Sequence, residues 1–496
     1  MTADPAGPPA PARLVETHIS LLFFVGDRVY KLRKQVQFGF LDFRTREARL
    51  LDCRREVELN GRLAPDVYLG VADIQLNSEP VDHMVVMRHL PEGRKLAAQA
   101  RRGDDLDEQL RQVAGVLARF HARALRSPVI SAEASPEALV DGWEANFDET
   151  RRFVGTLLDR AVESEIRSLS HRWIEGHGTL LSERAATGRV CDGHGDLQAE
   201  DIFCLDDGVR ILDCVEFDDR LRYDDVIADV AFLAMDLERL GRGDAARFFL
   251  SRYREASGDP MPESLVHYYC ASRAYVRAKV CCLRTSQGVE GVRAEAAAFH
   301  ALALGHLRRA RERLVLVGGL PGSGKSTLAA GLGAARGWTV LRSDEIRREP
   351  GVATEQWTEQ AADRYRPRAT EVVYHELLRQ AEECLGAGGS VVLDASWVDA
   401  AWRHRARTVA ERAACQLVEL CCETTPEEAD RRINRRLAED VDISEATPAV
   451  RAAMGARMDP WVTAVVIDTT GASPQAALDA AVRECPEWLE PTSGVG

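Results

Sequence analysis

The sequence predicts a multidomain fold, in which a two-lobed α+β domain is followed by an α/β domain built on a parallel sheet. Two patterns indicate this division. Hairpin-like strands near the start give way to long amphipathic helices, which is typical of a small β-rich lobe joined to a larger helical lobe. From Arg313 onward short apolar strands alternate with helices, and such alternation produces a parallel sheet covered on both faces.

The first part of the chain begins with a predicted β-hairpin. Residues 16–25 and 28–34 alternate apolar and polar side chains around the turn Gly26-Asp27. A second hairpin, with strands at 202–206 and 209–213, is predicted in a region that is otherwise helical. The other predicted elements of this part are a helix near 44–63, strands near 68–76 and 82–88, and helices near 105–124, 136–160 and 161–184 and over much of 226–310.

The boundary between the two parts is predicted near 305–313, after an arginine-rich helix end. We therefore divide the chain into a disordered proline- and alanine-rich tail at 1–13, a first domain at 14–308 and a second domain at 312–490. The predicted strands of the second domain are 314–317, 338–342, 390–393, 416–421 and 463–468.

Composition limits the partners and the compartment. The net charge of −14 argues against a long nucleic acid, which needs a basic face on its protein partner. No window is long and apolar enough to span a membrane, and the tail lacks the basic start and apolar stretch of a signal peptide. Twelve scattered cysteines without a Cys-x-x-Cys motif favour buried thiols in a reducing compartment. We therefore expect a cytoplasmic protein without membrane or nucleic-acid partners.

A complete phosphate-binding loop follows the first strand of the second domain. Its glycines allow a tight turn that directs backbone N–H groups at phosphate oxygens, and the following helix adds its positive N-terminal end. Lys325 can reach the terminal phosphates, while the Ser326 hydroxyl is placed to coordinate Mg²⁺. The motif therefore predicts binding of a nucleoside triphosphate with Mg²⁺. The loop consists of Gly319, Leu320, Pro321, Gly322, Ser323, Gly324, Lys325, Ser326 and Thr327.

Lysine is rare in this chain, which makes each lysine informative. Arginine serves wherever a solvated positive charge is enough, whereas a compact ammonium suits a phosphate group. Because Lys325 belongs to the phosphate-binding loop, Lys31 and Lys34 become candidates for a second phosphate site, and the strand position of Lys31 favours it. Of the 64 basic residues only five are lysine: Lys31, Lys34, Lys95, Lys279 and Lys325.

A second candidate site lies in the first domain. Residues 194–201 read His-Gly-Asp-Leu-Gln-Ala-Glu-Asp, and Asp213 follows Asp196 across a predicted hairpin. In a kinase-like site Asp196 would orient an attacking hydroxyl and accept its proton, and Asp213 would hold Mg²⁺ against the nucleotide. Lys31 would hold the α- and β-phosphates, with Glu56 of the next helix paired to it.

These motifs resemble those of the aminoglycoside phosphotransferase and choline kinase superfamily over most of residues 15–300. More narrowly, residues 16–20, 38–43 and 60–65 look like bacterial proteins that fuse such a domain to a P-loop kinase domain. The resemblance implies a two-lobed, protein-kinase-like fold. It also implies that Met87 lies at the hinge beside the adenine and that Asp229 anchors the catalytic loop.

One position departs from the superfamily pattern. Where the superfamily has asparagine as the second metal ligand, this chain has Asp201. Aspartate also coordinates Mg²⁺, but it adds negative charge beside Asp196 and Asp213. Two interpretations stay open, a kinase with an altered metal requirement and a binding module without catalysis.

An acidic run follows Asp213. In the superfamily, acidic residues of the large lobe often bind cationic or polyhydroxy acceptors, which is one interpretation of this run. A solvated loop is the other. The residues of the run are Glu216, Asp218, Asp219, Asp224 and Asp225.

Residues downstream of the phosphate-binding loop indicate a kinase. Asp344 follows the second strand, Asp394 ends the third, and Arg432 and Arg436 lie four residues apart on a helix. Together they resemble the small P-loop kinases of the polynucleotide kinase, gluconate kinase and zeta toxin groups. The resemblance implies that Asp344 orients the acceptor hydroxyl, that Asp394 acts on the Mg²⁺ shell, and that the arginines close as a lid on the transferring phosphate. An exposed helix face is the alternative for the arginine pair.

The sequence therefore predicts a bifunctional ATP-dependent phosphotransferase with Mg²⁺ as its metal. Each domain would transfer the γ-phosphate to a hydroxyl of a small molecule of the sugar, aminoglycoside or amino-alcohol type. In the alternative, only the P-loop domain is an active small-molecule or nucleotide kinase, and the first domain binds or regulates without catalysing.

Overall fold

The structure, a computed structural model, describes residues 13–17, 19–38, 41–289, 291–349, 367–439 and 446–485. The predicted disordered tail lies outside these residues, apart from Arg13. The chain forms two compact units, and neither is continuous in sequence. The first comprises the residues up to Arg151, Glu183–Met261 and Tyr269–Phe299, and the second comprises Arg152–Ser182, Pro262–Tyr268 and the residues from His300 onward.

The described residues form sixteen strands and eighteen α-helices. The strands are β1 (Arg13–Glu16), β2 (Ser20–Val25), β3 (Arg28–Arg33), β4 (Gln37–Phe38), β5 (Leu41–Asp42), β6 (Tyr68–Leu76), β7 (Glu79–Arg88), β8 (Val190–Asp192), β9 (Ile202–Leu205), β10 (Gly208–Ile211), β11 (Tyr223–Asp225), β12 (Arg313–Gly318), β13 (Thr339–Arg342), β14 (Val391–Asp394), β15 (Gln416–Glu423) and β16 (Val465–Asp468). The α-helices are α1 (Arg46–Gly61), α2 (Leu96–Arg102), α3 (Asp107–Arg123), α4 (Pro128–Ala132), α5 (Pro136–Thr150), α6 (Arg160–Gly176), α7 (Gly178–Ala186), α8 (Val226–Arg239), α9 (Gly243–Ser257), α10 (Glu263–Ser286), α11 (Val292–Arg309), α12 (Lys325–Arg336), α13 (Ser343–Ile346), α14 (Pro367–Gly386), α15 (Ala400–Arg412), α16 (Pro426–Glu439), α17 (Pro448–Gly455) and α18 (Pro474–Glu484). Within the described ranges, none of the helices combines the length and apolar character that a membrane span needs.

An antiparallel sheet in the order β1-β2-β3-β7-β6 opens the first unit. β2 and β3 form the predicted hairpin, with Leu22 opposite Lys31. The strand predicted over 16–25 is divided by a tight turn, in which the amide and hydroxyl of Thr17 donate to the Ser20 carbonyl at 2.8 and 3.1 Å. Helix α1 then begins after Thr45, because the side chain of this residue accepts the third free N–H of the helix.

The core of this lobe extends into the hairpin near the predicted catalytic residues. Cys53 of α1 and Val85 of β7 cluster with Phe203 of β9 and with Leu212. β9 and β10 form the predicted hairpin. A further ribbon pairs β8 with β11, and the sequence did not predict it because both strands have only three residues among charged side chains. This ribbon leads directly into the turn at 194–196.

The second unit contains a parallel sheet in the order β13-β14-β12-β15-β16. Its five strands lie within two residues of the predicted bounds. Leu314 and Leu316 pack on one face of the central strand β12, while Val315 and Val317 pack on the other. Because the carboxyl ends of parallel strands meet at one edge, the segments after β12, β13 and β14 come together there.

Candidate active sites

The first unit brings Lys31 together with two carboxylates. Its Nζ donates a hydrogen bond to Oε1 of Glu56 at 2.7 Å and lies 3.7 Å from Oδ1 of Asp213. Burial alone would lower the pKa of Lys31, but the charge of Glu56 raises this pKa above its usual range, so the ammonium form is kept. Lys34, the other candidate, forms an ion pair with Glu16 near the surface instead.

Sequence reasoning missed a buried arginine two residues further along β3. The guanidinium of Arg33 donates to Asp52 at 2.5 Å, to Glu56 at 2.8 Å and to Glu216 at 2.5 Å. These three carboxylates lie close enough together to hold a metal ion, but Arg33 is bonded to each of them and already supplies the cation. The strand period was the available signal, since residues two apart face the same side and Lys31 was already assigned to the site.

Met87 lies on the sheet that carries Lys31. It is partly buried on β7, opposite Val29 of β3 and Tyr68 of β6. β7 ends at Arg88, one residue after Met87, and the chain then continues towards the helix α2. Its role at a hinge beside the adenine stays a prediction.

One buried carboxylate holds the predicted catalytic loop. The oxygens of Asp229 accept hydrogen bonds from the backbone amides of His194 at 2.7 Å and of Gly195 at 2.8 Å. Burial would raise the pKa of Asp229, but the hydrogen bond from His121 lowers it well below its usual range, so the carboxylate stays ionised. The φ of +88° at Gly195 requires glycine, since a Cβ there would lie 2.9 Å from the carbonyl oxygen of Leu221. Asp229 thus lies where the resemblance implies an anchor.

Three aspartates follow along this loop and hairpin. Gln198 donates to Oδ2 of Asp196 at 2.9 Å, and partial burial raises the pKa of Asp196 to about 6 against the lowering effect of Arg277. Burial, followed by the charges of the other two aspartates, raises the pKa of Asp201 well above its usual range. Asp213 has a left-handed φ of +64° and a side chain that is 56% exposed. Backbone strain of this kind in a non-glycine residue is typical of functional positions.

Arginines neutralise the whole acidic run after Asp213. Each carboxylate of the run is therefore ion-paired, and the partly exposed Asp218 and Asp219 are compatible with a solvated loop. The ion pairs are Glu216 with Arg33 at 2.5 Å, Asp218 with Arg220 at 3.1 Å, Asp219 with Arg222 at 2.8 Å, Asp224 with Arg273 at 3.0 Å and Asp225 with Arg184 at 2.8 Å.

The phosphate-binding loop of the second unit connects β12 to α12. The φ of +81° at Gly322 requires glycine, because a Cβ there would lie 2.6 Å from the carbonyl oxygen of Ala429. Thr469 fixes the loop from the end of β16, since its hydroxyl donates to the carbonyl of Ser323 at 2.8 Å. Gly324 caps α12, and Lys325, Ser326 and Thr327 form the first turn of this helix.

A cavity of ≈ 560 Å³ opens beside the loop and brings two predicted residues together. Lys325 and Asp344 both line it, with Pro321 and Arg347. Tyr374 forms part of the wall, and its hydroxyl accepts a hydrogen bond from the backbone N–H of Trp397 at 3.0 Å. This volume suits one small polar molecule.

Asp394 ends β14 and pairs in register with Val317 of β12. Its Oδ2 accepts a hydrogen bond from Arg342 at 3.2 Å. Its Oδ1 is buried and has no hydrogen-bond partner among the described residues. Because a buried carboxylate oxygen without a partner is destabilising, this site fits a further ligand such as Mg²⁺, a hard cation that prefers oxygen.

The two arginines of α16 have different partners. Arg432 donates to the carbonyls of Gly322 at 3.3 Å and Thr469 at 2.7 Å, so it contacts the phosphate-binding loop directly. Arg436 donates to the carbonyl of Ala446 at 2.9 Å, and Ala446 lines the cavity. A common role as a lid on the phosphate stays a prediction.

Comparison with known proteins finds a family match in the second half of the chain. It also finds relatives that match nearly the whole chain. The model of the AAA domain family matches residues 314–461. An uncharacterized protein of Mycobacterium tuberculosis is 41% identical over 463 residues, which are 92% of this chain and 92% of that protein. An uncharacterized protein of Mycobacterium bovis matches to the same extent.

Solved structures resemble each part of the chain. A choline/ethanolamine kinase family protein from Mesorhizobium loti is 15% identical and covers 62% of this chain and 96% of its own length, with a TM-score of 0.37. The APS kinase of Mycobacterium tuberculosis, solved with AMPPNP and APS, is 23% identical and covers 36% of this chain and 99% of its own length, with a TM-score of 0.27. The predicted fold class is confirmed, with a two-lobed kinase-like part followed by an α/β P-loop part. The predicted resemblance to both kinase groups is confirmed as well.

Proposed function

The chain belongs to the family of these mycobacterial proteins, and from the geometry of its two sites we propose that it is an ATP-dependent phosphotransferase with one active site in each unit. The observation that carries the proposal is the same in both units. A lysine lies with a carboxylate, Lys31 with Asp213 at 3.7 Å and Lys325 with Asp344 in one cavity. Such a pair can bind nucleotide phosphates and serve an acceptor hydroxyl or the metal.

In the first unit, Lys31 holds the α- and β-phosphates of ATP while Glu56 fixes the lysine side chain. Asp196 takes up the proton of the acceptor hydroxyl as the acceptor oxygen bonds to the γ-phosphorus and the bond to the ADP oxygen breaks. Asp201 and Asp213 offer the oxygen ligands that Mg²⁺ prefers, and the bound ion would offset the negative charge of the phosphates. This site belongs to the proposed domain 14–308.

In the second unit, the backbone amides of 319–324 surround the phosphates and Lys325 reaches the terminal ones. Ser326 and Asp394 would hold Mg²⁺ at the end of the sheet. Asp344 orients the acceptor hydroxyl in the cavity and accepts its proton, in the same atom balance as at the first site. Arg432 and Arg436 act on the transferring phosphate from α16. The proposed domain is 312–490.

The acceptors are small molecules with a hydroxyl group. The cavity volume of the second unit supports this size, and the net charge of −14 argues against a long nucleic acid. All twelve cysteines are free thiols, which suits the cytoplasm, the compartment that supplies ATP.

A second candidate function is favoured by Asp201. Its carboxyl lies near those of Asp196 and Asp213, whose charges raise its pKa. Without asparagine at this position the first unit would bind metal less readily, and it could act as a binding module while the second unit alone catalyses.

Acceptor-dependent release of ADP tests the proposal. Wild type, Asp196→Ala and Lys325→Ala are compared across sugars, amino alcohols, aminoglycosides and nucleosides, with Lys34→Ala as a control that removes a lysine from a surface ion pair. We expect each site variant to abolish turnover of one set of acceptors and to spare the other set. Turnover lost only in Lys325→Ala supports the second candidate. If no acceptor accelerates ADP release above slow hydrolysis, the phosphotransferase proposal is wrong.

A further inference from the structure

A cation without a partner among the described residues lies on α10, in the part of this helix that belongs to the first unit. Arg273 and Arg277 are four residues apart and therefore share a helix face. Arg273 donates to Asp224 at 3.0 Å, and its guanidinium lies 5.6 Å from the ring centre of Phe232. Arg277, in contrast, forms no hydrogen bond or ion pair with any described residue, and its Nε is buried.

The fold places this helix face at the catalytic loop. Asp224 belongs to β11, which pairs with β8, the strand that leads into the loop. Phe232 belongs to α8, the helix whose carboxylate anchors the same loop. The charge of Arg277 acts on Asp196, where it opposes the effect of burial on the pKa of that carboxyl. The helix face of Arg273 and Arg277 therefore lies beside the strand and the helix that position the catalytic loop.

Asp196, Asp201 and Asp213 are assigned to the hydroxyl proton and to Mg²⁺ in the proposed mechanism, so a cationic acceptor would have to bind other carboxylates. Every carboxylate of the acidic run is paired with an arginine, and Arg33 bonds to all three carboxylates of the cluster of Asp52, Glu56 and Glu216. An amino group of an acceptor would have to displace an arginine from its partner. An anionic group would meet a half-buried guanidinium that has no hydrogen bond or ion pair within the described part of the chain, and pairing with it is favourable.

We propose that the acceptor of the first unit carries an anionic group (phosphate, sulfate or carboxylate) besides its hydroxyl, and that Arg277 binds this group. The inference rests on the proposed phosphotransferase function of that unit. Arginine presents a planar fork of donors that binds such oxyanions through two parallel hydrogen bonds. A contact of this kind fixes the orientation of the acceptor and thereby aims its hydroxyl at Asp196. Aminoglycosides and amino alcohols are then the poorer acceptors.

The test uses the full chain with Lys325→Ala, so that only the first unit turns over. Acceptors are compared in matched sets: glycerol with glycerol 3-phosphate, glucose with gluconate and glucose 6-phosphate, and glucose with glucosamine. ADP release is measured near pH 8, where Asp196 is ionised with or without the arginine. We expect the anionic member of a set to have the lowest KM, and Arg277→Gln to raise that KM by about tenfold or more.

Arg277→Lys and Lys279→Gln are the matched variants. The first keeps the charge without the fork and should recover part of the KM for the anionic acceptor. The second removes a charge two residues away on the same helix, where Lys279 pairs with Glu149, and should leave KM unchanged. If Arg277→Gln reduces turnover of neutral and anionic acceptors alike, Arg277 serves Asp196 only and the proposal is wrong.

The outcomes separate this proposal from the proposed function. If neutral acceptors are turned over as well as anionic ones, and Asp196→Ala abolishes this turnover, the proposed function of the first unit is supported. The proposal of an anionic acceptor is then wrong. If no acceptor is turned over, thermal unfolding with added inorganic phosphate or sulfate decides the anion site. Stabilisation that Arg277→Gln removes in the same Lys325→Ala background supports Arg277 as an anion site, and equal stabilisation of both proteins contradicts it.

Discussion

Replacing Arg33 with methionine tests the charge cluster that joins β3 to the segment after Asp213. The variant leaves Asp52, Glu56 and Glu216 buried without the cation that bonds to all three. Loss of one partner from a buried ion pair costs about 3–5 kcal/mol, because the remaining charge is uncompensated. The same loss removes the hydrogen bond from Arg33 to Glu56, the carboxylate that positions Lys31. Arg33→Met should therefore lower both the stability of the first unit and its turnover.

Amide hydrogen exchange measures this locally, which matters in a chain of two units whose unfolding need not be two-state. Peptides from β3 and α1 should exchange about 100-fold faster or more in Arg33→Met, as 1.4 kcal/mol corresponds to tenfold. Arg44→Met is the control, since this arginine pairs with Asp42 at an exposed site and such pairs contribute little. Exchange that accelerates less than about tenfold would refute the argument that the three carboxylates depend on Arg33.

The sign of the pH dependence is a second check on the same variant. Burial already raises the pKa of Glu216 in the wild type, and loss of Arg33 removes an influence that lowers it. A carboxyl whose pKa is higher in the folded state than in the unfolded state contributes stability at low pH and loses it as the pH rises. The exchange difference between variant and wild type should therefore be larger near pH 8 than near pH 5.5. A difference that grows towards acid pH would contradict this assignment.

Three further predictions concern the carboxylates of the two sites. Turnover by the first unit should fall as the pH drops through about 6, where Asp196 gains its proton, and the acid limb of a kcat profile should move to higher pH in Arg277→Gln. In wild type the Mg²⁺ concentration for half-maximal ADP release by this unit should decrease from pH 6 to pH 8, because Asp201 must lose a proton to bind the ion; Asp201→Asn should weaken that dependence. In an Asp196→Ala background, Asp394→Asn should raise the Mg²⁺ requirement of the second unit by about 10–100-fold in the same titration, whereas unchanged Mg²⁺ dependence would exclude Asp394 from the metal site.

The sequence predicted best what is encoded locally. The phosphate-binding loop and its flanking strand lie within one short segment, and the motif itself places glycine at 322, where the backbone has a φ of +81°. The pairing of Lys31 with Glu56 also followed, because only the two-residue strands β4 and β5 lie between β3 and the next helix. Each of these features depends on residues a few positions apart or on neighbouring elements.

The rest of the first site depends on contacts that no local pattern shows. Arg33 and Glu216 are 183 residues apart in sequence and meet only in the folded unit. The acidic run is conspicuous in the sequence, but the arginines that pair with Glu216, Asp225 and Asp224 come from β3, α7 and α10, so these three ion pairs could not be predicted. The division of Arg432 and Arg436 between two partners has the same cause, since the carbonyls of Gly322 and Ala446 are tertiary partners that the helix pattern does not show.

The charges of the first site link Asp201 to the class of acceptor. Three aspartates lie along the loop and hairpin. Lys31 lies 3.7 Å from Asp213, and the charges of Arg277 and Arg273 act on Asp196. An anionic acceptor would add negative charge, which three ionised carboxylates would oppose. A protonated Asp201 removes one of those charges while keeping an oxygen ligand in place, as asparagine would. The aspartate at this position is therefore compatible with catalysis on an anion as long as the proton is released only when the metal binds.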